Sequence, residues 1–380
     1  MSLLDELRAD LAELTDREPR FFRAPGRVNV IGEHVDYGGG FVLPLAIDRE
    51  TIVAAAPRDD RRIRIRSREH AEIAGFDLDE LLPKPARGWS DYPRGMTLAL
   101  RRRLPLAGAD LAVGTTIPIG AGLSSSAAFE IAVGLALASL AGRQLAPREL
   151  AHAAQEAENG FVGVRSGIMD PLACVFGVRD HALLIDCRSE AVTPVAIPAG
   201  AAIAIADSGV RHDLIVSTYN ARRAQSEEAA RLLGVTALRD VSAPAFARDE
   251  ARLPEVLRAR ARHAIGENGR VLATADALRR GDLPEAGRLM SESHVSLRDD
   301  YEVSCAELDL LVEAAQRVDG VYGSRMTGGG FGGAIVVLLR EECVEALTRA
   351  LDAAFRARYG RTAPVTQVRA ADGASAIGNG

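Results

Sequence analysis

The sequence predicts an α+β fold built from two domains. The chain has 380 residues, which exceeds the size at which one hydrophobic core usually serves a whole protein. Helical and strand-like patterns are interleaved without the regular strand, helix, strand spacing of a doubly wound sheet. Apolar residues make up 47% of the chain, enough to fill two cores. We therefore expect one domain at residues 1–200 and a second at residues 201–380.

The first domain begins with a helix and continues with strands. Residues 1–15 carry an amphipathic helical stripe, and three strand-like runs follow, FFRAPGRVNVIG, FVLPLAI and ETIVAAA. Another strand leads through a glycine- and serine-rich loop into a long apolar helix, SSSAAFEIAVGLALASLAG. The segment PRELAHAAQEAENG predicts a second helix that begins near Pro147 and ends at Asn159 and Gly160.

The second domain begins with the strand AAIAIADSG, at about Ala201. Arginine- and alanine-rich helical patterns continue from there to about Met290, and CAELDLLVEAAQRV predicts a further helix. The run SRMTGGGFGGAIVVLLR then predicts a glycine-rich turn before a buried strand. A last helix is expected from Glu341.

Composition excludes several classes of function. The formal net charge of −6 gives no positive field that would hold nucleic acid. The first residues lack the basic head, continuous apolar stretch and cleavage site of a signal peptide, and the mean hydropathy near zero argues against membrane residence, so we expect a cytoplasmic protein. The four cysteines are widely spaced, which predicts buried free thiols rather than disulfides or a zinc site. The only lysine, Lys84, fits neither a Walker A loop nor a Schiff base.

The segment PIGAGLSSSAA suits a phosphate. Its glycines let backbone N–H groups approach an anion, and its serines precede a helix whose dipole favours negative charge. A serine hydroxyl there could also bind magnesium. The alternative is a serine N-cap after a plain turn.

Two acidic features follow this loop. Glu156 and Glu158 lie in the last turn of their predicted helix, where the dipole disfavours carboxylates and a cation would be favourable. Alternatively, both are solvated surface acids. Asp170 precedes a proline and an apolar run, which is typical of an N-cap, although an ionised acid there could also accept a proton from a substrate hydroxyl.

The segment GRVNVIGEHVDYGGG concentrates Arg27, Glu33, His34 and Asp36 between glycines, a supply of donors and acceptors suited to a polyol. The alternative is a polar turn whose charges pair with each other. A single histidine among carboxylates is weak evidence for a transition-metal site. Separately, RMTGGGFGGA could be no more than a tight hairpin.

Together and in this order, the three segments resemble the motifs of the GHMP small-molecule kinases, and within them the galactokinase family. The segments WSDYPRG, EAENGFVGVRSGIMDPLACVFGVRDHALLIDCRS, VRHDLIVSTYNARRAQ and YEVSCAELDLL also resemble that family, so the likeness runs nearly end to end. It implies an S5-like N-terminal domain beside a ferredoxin-like C-terminal domain, with the active site between them. The implied activity is ATP-dependent phosphorylation of galactose at its anomeric hydroxyl.

The resemblance also implies residue roles. Asp170 would be the catalytic base, Arg27 would stabilise the transition state, and Ser126 and Glu158 would hold Mg²⁺. The ATP phosphates would contact Gly120, Ala121, Gly122, Leu123, Ser124, Ser125 and Ser126. The sugar would contact Glu33, His34, Val35, Asp36, Gly167 and Tyr219.

Three positions depart from the family pattern: Val35 replaces a threonine, Gly38 an asparagine and Pro171 a glutamine. These departures leave a kinase for N-acetylgalactosamine, arabinose or galacturonate as the main alternative, while the atoms needed for phosphoryl transfer remain. A galactose- and ATP-binding regulator without turnover is the alternative from another class. The complete run of Ser124, Ser125, Ser126, Ala127 and Ala128 argues against it, because such regulators have defects in that loop.

Overall fold

The structure, a computed structural model, describes residues 2–80, 85, 88–211 and 215–378. Lys84 lies outside the described residues. The strands are β1 Arg20–Asn29, β2 Phe41–Val42, β3 Pro44–Pro57, β4 Arg62–Ser67, β5 Ile73–Asp77, β6 Ala109–Thr115, β7 His181–Asp186, β8 Ala191–Ala196, β9 Ala201–Asp207, β10 Val321–Thr327, β11 Ala334–Arg340, β12 Val365–Val368 and β13 Ser375–Ile377. The α-helices are α1 Leu3–Ala12, α2 Asp91–Arg101, α3 Ser125–Leu140, α4 Pro147–Ala157, α5 Met169–Phe176, α6 Ile215–Leu233, α7 Ala243–Asp249, α8 Glu255–Arg279, α9 Leu283–Asp299, α10 Ala306–Gln316 and α11 Val344–Tyr359.

The larger sheet has six strands in the order β13-β1-β3-β6-β4-β5. Its neighbours pair antiparallel except for β4 and β6, which run parallel. Helix α3 packs against β1 and β3, with α2, α4 and α5 around it, which explains why the helix is apolar on nearly all sides. This packing holds the N-terminal end of α3 close to β1.

A second sheet of four antiparallel strands has the order β10-β11-β9-β12, and a third sheet joins β2, β7 and β8. Both faces of the four-stranded sheet are buried. Ile203, Ile205, Val336 and Leu338 join the main core, while the alternate side chains of the same strands pack with α10 and α11 in a separate core. Two buried faces explain the uninterrupted apolar run of β11.

The predicted α+β class is confirmed, because mainly antiparallel sheets are interleaved with helices of both halves of the chain. The division at residue 200 stays a prediction. The short strand β13 pairs with β1, so residues close to the C-terminus join the first sheet. Cys174 and Cys187 are buried free thiols as expected, whereas Cys305 and Cys343 are partly exposed. None of the helices described is long and apolar enough to cross a membrane.

Candidate active site

The loop between β6 and α3 has an irregular backbone anchored by apolar side chains. Gly120 and Gly122 both have a φ of 74°, a conformation that is costly for other residues. Between and after them, Ala121 and Leu123 are buried in the main core. With these side chains turned inward, the backbone of the loop borders the cavity described below.

Ser124 occupies the N-cap position of α3 without capping it. Its φ of 55° is left-handed, and its side chain makes no hydrogen bond to the first turn of the helix. The hydroxyl instead bonds to the Asp170 carboxylate. The plain N-cap interpretation of this serine is therefore wrong, and the loop is joined directly to a charged group.

Arg27 and Asp170 form a bidentate ion pair. The Nε and Nη2 atoms of Arg27, near the end of β1, each donate to a different Asp170 oxygen at 2.6 Å. Nη1 donates to the carbonyl of Gly122 at 2.7 Å, so Arg27 also holds the phosphate-loop candidate in place. Two parallel N–H···O bonds fix the orientation of the carboxylate as well as its position.

The N-cap prediction for Asp170 is wrong. Helix α5 begins at Met169 with Ile168 at the N-cap, so Asp170 lies in the first turn and makes no capping hydrogen bond. Pro171 is tolerated here because backbone N–H groups in the first turn have no partner within the helix.

Glu156 and Glu158, although only two residues apart, have different surroundings. Glu156 forms surface ion pairs with Arg102 and Arg103, as the surface alternative expected. Helix α4 ends at Ala157, and Glu158 begins a π-helical turn over Glu158–Val162, which corrects its placement inside the predicted helix.

The buried carboxylate of Glu158 meets the start of α3. Its Oε1 lies 3.2 Å from the Ser126 Oγ, and its other oxygen accepts from Ser166. Burial raises the pKa of Glu158 to about 7, and the nearby Asp170 carboxylate adds to that rise. Among the described residues, no group of three or more His, Cys, Asp or Glu side chains could hold a metal by itself.

Asp36 and Gly167 are in direct contact. A Cβ added at Gly167 would lie 1.9 Å from an Asp36 carboxylate oxygen, so residue 167 has no room for a side chain. Burial, together with the charge of Asp170, raises the pKa of Asp36 to about 6. The structure thus brings the first signature close to the segment that carries Asp170.

The other predicted sugar contacts are placed differently. The Glu33 carboxylate is only 2% exposed and faces Thr327, Gly328, Asn29 and Arg325. Both ring nitrogens of His34 are engaged, Nδ1 with the Tyr37 hydroxyl at 3.2 Å and Nε2 with the Gly329 carbonyl at 3.1 Å. Burial lowers the pKa of His34 to about 3, so the ring is neutral.

Val35 and Tyr219 have different surroundings. Val35 packs in an apolar cluster with Ile168 and Met169, which places its side chain in a core. The Tyr219 ring lies 5.1 Å from the His34 ring and beside Gly329. The structure therefore groups Tyr219 with His34 and the third motif, while it places the Val35 side chain in a core.

A cavity of about 440 Å³ opens over the phosphate-loop candidate and reaches Arg27 and Asp170. One wall is aromatic: His70 and Trp89 stack with an interplanar angle of 3°, and Phe129 continues the stack. The sequence interpretation did not identify these rings. The available signal was the chain's only tryptophan, in the segment WSDYPRG.

Comparisons with known families agree with this geometry. The family model described as GHMP kinases N terminal domain matches residues 91–178, and GHMP kinases C terminal matches residues 274–357. The galactokinase galactose-binding signature matches residues 11–57. The chain is 50% identical to a galactokinase of Chloroflexus aggregans over 94% of this chain and 93% of that protein. It is 48% identical to a galactokinase of Roseiflexus sp. over 93% of this chain and 92% of that protein.

Solved structures give the same result. The galactokinase of Lactococcus lactis complexed with galactose superposes with a TM-score of 0.96 at 34% identity, covering 99% of this chain and 100% of that one. The mevalonate kinase of Methanococcus jannaschii shares the fold, with a TM-score of 0.67 at 18% identity over 94% of this chain and 100% of that one. The chain has the two-domain GHMP kinase fold, and it belongs to the galactokinase family.

Proposed function

We propose that the protein transfers the γ-phosphoryl group of ATP to the anomeric hydroxyl of galactose, giving galactose 1-phosphate and ADP. The observation that carries this proposal is the bidentate Arg27–Asp170 pair, which joins the phosphate-loop candidate to the surroundings of Asp36. Phosphoryl transfer requires an acceptor hydroxyl, a base and positive charge within one small volume. The relatives named galactokinase support the choice of sugar.

Asp170 acts as the general base in this proposal. Its carboxylate accepts the proton of the sugar hydroxyl as that oxygen attacks the terminal phosphorus. Arg27 fixes the position and orientation of the carboxylate through two hydrogen bonds, and its positive charge stabilises the charge that develops on the transferring group. The hydroxyl of Ser124 adds a third donor to the same carboxylate.

The ATP phosphates would lie along residues 120–126, at the N-terminal end of α3. Backbone N–H groups at a helix N-terminus favour anions, and the loop carries no lysine that would do this work. The stacked His70 and Trp89 rings offer an apolar wall in the same cavity, which suits a planar nucleobase.

The oxygens of Ser126 and Glu158 fit a magnesium ion. They lie 3.2 Å apart at the edge of the phosphate-loop candidate, and both are the hard oxygen ligands that magnesium prefers. At nucleotide sites magnesium usually takes one or two protein ligands and completes its shell with phosphate oxygens and water. When bound, it would neutralise charge on the phosphates.

The sugar would lie against Asp36 and Tyr219, with Gly167 leaving space for the Asp36 carboxylate. Asp36 would accept a hydrogen bond from a sugar hydroxyl, and Tyr219 would offer a ring face. Sugar contacts by Glu33, His34 and Val35 stay predictions, because the polar atoms of Glu33 and His34 already have partners and Val35 lies in a core.

The proposal is tested by analysing the product as well as the rate. The protein is incubated with ATP, Mg²⁺ and galactose, and ADP release is followed beside the loss of reducing ends. Phosphorylation at the anomeric oxygen abolishes the reducing end, so the two quantities should match. ADP release without loss of reducing ends would place the phosphate on another hydroxyl. Galactose binding without ADP release would instead indicate a non-catalytic regulator.

A further inference from the structure

Three residues of the third motif, which spans residues 324–334, make polar contacts with the first signature. The Thr327 hydroxyl lies 3.0 Å from Glu33 Oε1, and the Gly328 backbone N–H donates to the same oxygen at 3.0 Å. The carbonyl of Gly329 lies 3.1 Å from the His34 Nε2. Three consecutive residues of one motif thus hold two consecutive residues of the other.

The second oxygen of Glu33 is also fully engaged. It accepts from the Asn29 side-chain amide at 2.8 Å and forms an ion pair with Arg325, whose side chain is fully buried. Arg325 reaches the carbonyls of Asn29 and Val30 as well, at 3.3 and 3.2 Å. Burial raises the pKa of Glu33, and the positive charge of Arg325 opposes that rise. The Thr327 hydroxyl also lies 3.1 Å from the Asn29 carbonyl, so it joins Glu33 to the backbone of the first signature.

Helices α8 and α9 hold the same segment from the other side. Glu267 accepts from the Gly32 N–H at 3.0 Å and from the Ser293 hydroxyl at 2.6 Å. Burial would raise the pKa of Glu267, yet Arg270 and the neighbouring positive charges keep it at about 2, so this acid stays charged. Residues 29–34 are therefore fixed between Arg27 and Asp36, the two groups placed here against the reacting oxygen and the sugar.

We propose that Thr327 and Arg325 are positioning residues for the sugar, which act through Glu33 to fix the bend between Arg27 and Asp36. This inference rests on the proposed function. Thr327 and the glycines of the third motif also border the cavity assigned to ATP, and a role toward the nucleotide is the competing explanation. The hydrogen bonds distinguish the two, because the side chains of Thr327 and Arg325 bind the first signature.

The experiment compares Thr327→Val with Thr327→Ser. Valine keeps the shape of threonine but removes the hydroxyl, while serine keeps the hydroxyl. Ser324→Ala is the matched control, because Ser324 lies buried on the same strand and its hydroxyl bonds to the Val312 carbonyl, away from Glu33. The measured quantities are KM for galactose, KM for ATP, and the shift in Tm that each ligand produces.

Thr327→Val should raise the KM for galactose by about tenfold, since it removes a buried hydrogen bond to a charged group. The KM for ATP should change little. Thr327→Ser, which keeps the hydroxyl, should have a KM for galactose close to that of the wild type. Ser324→Ala should lower Tm without raising the KM for galactose relative to the KM for ATP. A rise in KM for ATP alone, or equal rises in the KM values for ATP and galactose, would overturn the inference. If Thr327→Val does not fold, Thr327→Ala replaces it, and the measured quantity is the shift in Tm that each ligand produces. A smaller shift with galactose but not with ATP supports the inference, and any other pattern overturns it. Wild-type protein that fails to turn over galactose would count against the proposed function instead.

Discussion

At the scale of single residues, Asp170 illustrates how local sequence and tertiary structure assign different roles. Asp followed by Pro is typical of an N-cap, yet the helix begins one residue earlier and the carboxylate pairs with Arg27. The pair joins residues 143 positions apart in the chain, so no local pattern reports it. Only the likeness to the family motifs pointed to these two residues as partners.

Asp170→Asn should lower kcat by about 10²–10⁴-fold, because the amide cannot accept the proton that a general base removes. Galactose should still raise the Tm of the variant, since the contacts assigned to the sugar remain. The comparison therefore needs kcat beside thermal shifts with and without sugar. Turnover close to that of the wild type would show that Asp170 is not the base.

Gly167→Ala should raise the KM for galactose by roughly tenfold or more, because its Cβ would displace the Asp36 carboxylate from the position it now occupies. Gly160→Ala is the matched control: a Cβ at Gly160 would meet nothing within 4 Å. Steady-state kinetics with both substrates should show an unchanged KM for ATP in both variants. An unchanged KM for galactose in Gly167→Ala would remove Asp36 from the sugar site.

Glu158→Gln should raise the magnesium concentration required for half-maximal rate, since the amide lacks the charge that attracts the cation.

Glu158→Gln should also alter the stability of the apo protein in a pH-dependent way. Burial raises the pKa of Glu158 from its ordinary 4.5 to about 7, so the unfolded chain releases a proton in that window before the folded protein does. The stability that Glu158 contributes is complete below 4.5 and is lost as the pH rises through about 7.

The advantage in Tm of Glu158→Gln over the wild type should therefore grow between about pH 5 and about pH 8 in magnesium-free buffer. A constant difference across this range would mean that Glu158 is already charged in the apo protein.

At the scale of helices and strands, the sequence predicts the features that depend on residues close together in the chain. It misses the features that depend on residues far apart in the chain. The apolar run after the serine loop predicts α3, and the two-sided burial of β11 is predicted by its unbroken apolar run. The π-helical turn that begins at Glu158 has no sequence pattern of its own, and it directs this acid toward Ser126. The third motif does connect two paired strands, β10 and β11, through residues 328–333, but its contacts with Glu33 and His34 go beyond the plain tight hairpin of the alternative.

Helix α3 also contains a buried acid whose presence nothing in the helix explains. Glu130 is fully buried, and neither of its carboxylate oxygens has a hydrogen-bond partner among the described residues. Burial raises its pKa well above the ordinary value. Glu130→Leu should therefore stabilise the protein at neutral pH by about 1–3 kcal/mol, the cost of an unsatisfied buried group. The measurement is denaturant unfolding, and a lower stability would show that Glu130 has a partner such as ordered water.

At the scale of the whole molecule, the predicted α+β class and two-domain arrangement agree with the structure, while several connections could not be predicted. Strand β13 joins β1 across almost the whole chain, and Glu33 joins the third motif through residues nearly 300 positions away. Such contacts depend on how the sheets and helices pack, which periodicity does not report. The site residues were predicted from the resemblance to the family, because the family motifs reflect this packing. A cytoplasmic location stays a prediction.

The most direct test of the central claim is the ratio of kcat/KM for galactose to kcat/KM for glucose, measured by ADP release. The two sugars differ only at the 4-hydroxyl, and under the proposed function Asp36 would accept a hydrogen bond from the axial hydroxyl of galactose. The equatorial hydroxyl of glucose would leave the buried carboxylate of Asp36 poorly satisfied, so galactose should be preferred by at least about tenfold. Asp36→Ala should reduce that ratio. Equal kcat/KM values for the two sugars in the wild-type protein would contradict the account.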